Sequence, residues 1–302
     1  MLKRMLRPMT QSKRWLAATG VPEFSARSAL RMHLPMKKTV FLALALLTIP
    51  AVAEEPAAKI DVSKLPKETR VVDDVIVPVP SEIFSVLDKL GNPNWGQVQN
   101  PIKGVAQPFG PRPQQALYLG TVIAEGFIAV EAKDAEEVKN IGRSVLNLSQ
   151  ALGVRDAVTK RANAIVTKAE KEDWPQVRSE LDGALNVVKE ALQQLGDADL
   201  ANLVALGGWC RGTEALCQVV NKDYSRDGAD LLHQPMLLNN FGAKLKGLKA
   251  RLKKEPLISK AQSTLNAITP LMSTPEGSVI TKESVAEIGK IIAAFIKAIQ
   301  TK

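Results

Sequence analysis

The sequence predicts an all-α protein, a helical bundle. Two segments, 114–132 and 200–220, are apolar on nearly every side and so must be enclosed by neighbouring helices. Other stretches carry apolar residues at helical spacing between cap-forming residues. Strand-like alternation of any useful length is confined to VVDDVIVPV, residues 71–79.

Residues 36–53, MKKTVFLALALLTIPAVA, have the parts of a secretory signal in order. Lys37 and Lys38 precede an apolar run from Val40 to Ile49, and Ala51-Val52-Ala53 is a small-residue cleavage pattern. The run is well short of the ~20 residues that cross a bilayer, and Pro50 interrupts it, so no stable membrane anchor is expected after cleavage. Residues 1–35, ahead of Met36, read as an upstream extension or a disordered basic segment, with seven Lys or Arg against Glu23 alone. Export places the protein in the periplasm or outside the cell.

The 40 Lys and Arg outnumber the 31 Asp and Glu, but residues 1–53 hold nine of the bases and one of the acids. The remaining chain has 31 bases against 30 acids, so the full chain's pI near 9.5 is not a nucleic-acid footprint and no nucleic-acid partner is expected.

Residues 54–79 read as an extended leader, and 80–302 as a single helical-bundle domain. A short helix is expected over Ser81 to Leu90. Residues 91–113 mix four Gly with five Pro; this density of breakers excludes a regular element, while Trp95 and Phe109 suggest a belt packed on the bundle. The first all-apolar helix follows. Asp134 with Glu137 has the form of a capping box and opens a helix that Gly153 closes. A third helix spans roughly Val154 to Lys171. A fourth starts at Asp173-Trp174-Pro175, with Leu181, Leu185, Val188, Leu192 and Leu195 as one seam. The second all-apolar helix runs from about Asp199 to Val220. Ser284 to Gln300 carries a stripe of Val285, Ile288, Ile292, Phe295, Ile296 and Ile299, which suits packing on the bundle better than a membrane surface because its polar face is mixed in sign.

A shift of 86 residues superposes Gly126 on Gly212, Leu146 on Leu232 and Lys160 on Lys246, and sets Gly153 on Asn239. It suggests a duplicated three-helix unit, with pseudo-repeats at about 114–171 and 200–255. Pro235 opposes it by falling on Ser149, inside the first copy's helix.

Few residues carry recognisable chemistry. The same shift sets Arg211, in GWCRGT, on Glu125, in VIAEGF, both within otherwise apolar helices; burial of either would demand a partner, so mutual pairing is expected. A ligand site between the two helices near Glu125, Arg211 and Trp209 is the functional alternative. Gly208 and Gly212 suit close helix contact. Cys210 and Cys217 are a candidate disulfide only if the glycines break their helix, since seven helical residues rise ~10.5 Å. Asp230 and His233 are weak metal candidates on one helix face, with no second such pair for a di-metal centre. No cofactor signature and no G-x-S-x-G elbow occurs.

The expected function is therefore a non-enzymatic binding or scaffolding role in the cell envelope, with an unknown protein as partner. The alternative is a carrier of a small apolar ligand or lipid in an inter-helix cavity.

Overall fold

The computed structural model describes residues 70–72, 75–77, 93–275 and 278–301, the first two segments by backbone alone. Residues 1–35, the segment expected to be a signal (36–53), most of the expected leader and the helix expected over Ser81 to Leu90 lie outside the described residues. Strands β1 (Arg70–Val72) and β2 (Val75–Val77) pair antiparallel, with Val71 opposite Ile76. The strand-like stretch thus supplies an antiparallel strand pair, and β2 lies beside helix α8 (Pro235–Gly247).

The rest is an all-α helical bundle. One turn, α1 (Trp95–Val98), occurs inside the Gly/Pro-rich stretch, where no regular element was expected. Then come α2 (Arg112–Glu131), α3 (Ala135–Leu152), α4 (Arg155–Ala169), α5 (Trp174–Gln194) and α6 (Ala198–Lys222). Short α7 (Arg226–Asp230) precedes α8, and α9 (Ala250–Lys253), α10 (Pro256–Met272) and α11 (Lys282–Gln300) complete the chain. Among the described residues no helix is long and apolar enough to cross a membrane.

Helices α2 and α6 form the centre. On one side α3, α4 and α5 lead from α2 back to α6; on the other, α11 packs on both and carries α10, which in turn meets α8. This enclosure explains why both central segments lack a polar face: Leu117, Leu119, Phe127 and Ile128 of α2 and Leu203, Val204 and Leu206 of α6 are all buried.

The α2–α6 contact depends on two missing side chains. A Cβ on Gly120 would lie 2.0 Å from the Val204 carbonyl oxygen, and one on Gly207 would lie 2.0 Å from that of Leu117. Gly208 is 3.4 Å from Gly120 O by the same measure, while Gly212 faces nothing within 4 Å. The close approach therefore centres on Gly207, one position earlier than the Gly208 and Gly212 pair suggested.

Every corner from α2 to α6 closes the same way. Lys133, Gly153, Glu172 and Gly196 adopt positive φ, and the next residue's N–H reaches back to Ala129, Ser149, Lys168 and Leu192 respectively. These are Schellman closures. Gly153 takes the left-handed role that the sequence assigned it.

Within α5 the seam differs from its expected course. Leu181, Val188 and Leu192 are buried and Leu185 half-buried, but Leu195 follows the last helical residue and is 57% exposed. Val177 and Ala184 complete the buried face instead. On α11 all six stripe residues are buried against the bundle.

Under the 86-residue shift α2 corresponds to α6, after which the two patterns diverge. The counterpart of α3 is divided into α7, a turn and the start of α8, with Pro235 opening α8. Asn239, aligned with the cap residue Gly153, lies inside α8.

Candidate functional site

The region marked by Glu125 and Arg211 is a buried charge cluster under the belt. Arg211 is 1% exposed and Glu125 2%. Arg211 Nε donates to Glu125 Oε2 at 2.7 Å, joining the residues that the shift superposes. Arg211 also pairs with Glu214 on its own helix at 3.2 Å, and its remaining amino group donates to the Val98 carbonyl at 2.7 Å. One guanidinium thus serves two carboxylates and one backbone oxygen, which suits the planar fork of Arg.

The second oxygen of Glu125 accepts the Asn100 N–H at 2.7 Å. Two further contacts follow the same plan: Ile102 N–H donates to Glu137 Oε1 at 2.8 Å, and Ala106 N–H to Ser144 Oγ at 2.8 Å. Residues 99–111 cannot satisfy their backbone internally because their prolines and glycines prevent a ladder or helix, so side chains of α2 and α3 accept in its place. Trp95, 5% exposed, anchors one end of the belt, and Phe109 rests on Tyr118 with ring centroids 5.3 Å apart at the other.

The capping box is accordingly half made. Asp134 accepts the Glu137 N–H at 3.0 Å, but Glu137 does not return the contact. The Asp134 N–H is already bound to Ala129 O at 2.9 Å in the corner closure, leaving the Glu137 carboxylate for the belt.

Burial raises the pKa of Glu214 above the usual carboxylate range, with the Glu125 charge adding to it and Arg211 opposing. Glu137 is also raised, by burial first and by Glu125 and Asp134 after it, against its hydrogen bonds to Ile102 and Asn140.

Trp209 belongs to a different place. Two residues from Arg211 is a turn of about 200° around the helix. Its Nε1 donates to Gln234 Oε1 at 2.8 Å and its ring sits 5.3 Å from that of Phe241 on α8. The structure therefore unites Glu125 with Arg211 and sets Trp209 on another face.

Cys210 and Cys217 are free and buried. Helix α6 continues through Gly207, Gly208 and Gly212, so the break that a disulfide requires does not occur. Burial pushes both thiols up, Glu214 adding to the effect, which keeps them protonated and weakly nucleophilic. Asp230 ends α7 and His233 lies in the following turn, both exposed, so they do not share a helix face. His233 Nδ1 is 3.5 Å from Thr274 Oγ1. No group of three metal-ligating side chains occurs among the described residues.

Glu214 and Ser144 were not singled out from the sequence, and Glu137 was read only as a capping residue. Glu214 lies three residues beyond Arg211, a helical pairing distance that would have marked it. Glu137 reads as a cap and Ser144 as an ordinary helix serine, since nothing local reveals a belt passing overhead.

The fold and the cluster define an all-α helical bundle whose buried charges bind its own connecting loop. The chain matches no family model, no curated protein and no solved structure.

Proposed function

We propose that the protein is an exported, non-enzymatic binding or scaffolding protein of the cell envelope. The supporting observation is the destination of the charges in the apolar helices. Glu125 and Arg211 are engaged with each other and with the Asn100 and Val98 backbone, and Glu137 of α3 holds the Ile102 backbone beside them, so all three serve to strap a loop across the bundle. A bundle held this way is a preorganised platform, suited to presenting a fixed surface to a partner. The carrier reading would place its ligand between α2 and α6 beside Trp209. Backbone contact at Gly120 and Gly207 and the separate setting of Trp209 both weigh against it.

The test is native purification from the exporting cell, with the mature N-terminus sequenced and bound species identified by native mass spectrometry. A chain starting at Glu54 with a protein partner is the expected result. Retention of residues 1–35 would overturn the export reading, and a bound small apolar molecule would favour the carrier.

A further inference from the structure

Near-neutrality over the mature chain conceals a local excess. From Pro235 to Met272 there are seven Lys or Arg and one acid, Glu255. Lys246, Arg251, Lys253, Lys254 and Lys260 are exposed, and none of the five is paired with a described carboxylate. The remainder of the mature chain carries more acids than bases, so the excess of base is local to this segment, and two of the five, Lys246 and Lys253, share one groove, while Lys260 lies on the side of α10 that meets α11.

A groove of about 780 Å³ runs between α8 and α10, with Lys246 and Lys253 among its lining. Leu245 and Ile258, only 5% and 3% exposed, form its floor, Ala267 adds exposed apolar surface, and Ser259, Gln262, Ser263 and Asn266 recur along α10 at helical spacing. Neither groove helix contributes a carboxylate.

We propose that this groove binds an extended acidic segment of a partner polypeptide. The proposal rests on the binding-protein reading and supplies its partner's chemistry. Lysines would meet the partner's carboxylates, the hydroxyl and amide side chains of α10 its backbone, and Ala267 with the groove floor its small apolar contacts. A flat lipid surface would touch the rims and leave the apolar part unfilled. The lining has no aromatic ring on which a nucleic-acid base could stack.

A short fluorescent peptide alternating Glu with Leu, titrated into the full chain, tests the proposal by anisotropy. Binding should weaken with salt and fall by about tenfold or more in a Lys246→Glu/Lys253→Glu variant, because two like charges would face the ligand. Lys160→Glu with Lys171→Glu, an exposed pair on the other side of the central helices, makes the same change in net charge and should leave binding almost unaltered. Thermal melts check that both variants fold. Absence of peptide binding, equal weakening by the two variants, or attachment to anionic phospholipid vesicles in place of the peptide would overturn the groove assignment. A natural partner retained equally by wild type and the Lys246→Glu/Lys253→Glu variant would overturn it while sparing the binding reading. A native preparation with no protein partner would overturn the binding reading itself.

Discussion

Arg211 bears the largest single-residue responsibility. Replacing it with Ala would leave Glu125 and Glu214 buried beside each other and orphan the Val98 carbonyl. Removing one partner from a buried pair costs about 3 to 5 kcal/mol, and chemical denaturation should register a loss of that size. Arg211→Met with Glu125→Gln and Glu214→Gln should recover much of it, since both uncompensated charges go as well. Glu214 makes a separate prediction. Its folded-state pKa lies above the ordinary value of 4.5, so it holds its proton more tightly folded than unfolded. That stabilisation is fully present below pH 4.5 and is lost as pH rises through the raised folded value. Glu137 acts in the same sense. The unfolding midpoint of Glu214→Gln, measured from pH 4.5 to neutrality, should fall less than that of wild type; an identical decline would dismiss the role assigned to Glu214. The pairing of Glu125 with Arg211 could be anticipated, because a lone charge in an apolar helix has few affordable fates. The belt's share in it could not, because the participating groups are backbone atoms that every residue carries.

Each corner of the bundle uses a residue in the left-handed conformation, but only Gly153 and Gly196 are suited to it. Lys133 at φ 56° and Glu172 at φ 53° bear the steric strain that a Cβ brings there. Both are exposed, so Lys133→Gly and Glu172→Gly should each stabilise the protein by about 0.5 to 1 kcal/mol, measured as a shift in urea midpoint. A loss of stability would mean that their side chains contribute more than the strain removes. The glycine corners could be recognised from composition, whereas Lys133 and Glu172 resemble helix-end residues of no special kind. The α5 seam shows the same limit. Its spacing identified the buried face, but the register of the last residue depended on where Gly196 turned the chain, and Leu195 fell outside.

Across the whole molecule the belt behaves as part of the bundle although it has little regular structure. The N–H groups of Asn100, Ile102 and Ala106 bind side chains of α2 and α3. Their amide exchange should therefore be slow, near that of the helix interiors, while exposed Lys103 and Gln107 exchange quickly. Uniformly fast exchange over residues 99–111 would show that the strap opens freely. The basic groove is likewise a whole-molecule property: a net charge near zero states a sum, and only the folding of α8 beside α10 determines where its parts collect.

The amino-acid pattern alone determined the helical class, the two enclosed helices and the inward stripe of α11, because apolar periodicity and enclosure are properties of contiguous residues. Which glycines touch, where Trp209 points, and what the buried acids hold were decided by tertiary packing. Those outcomes depend on the crossing of α2 with α6 and on the path of residues 99–111, and each joins atoms far apart along the chain through contacts that leave no periodic trace in it.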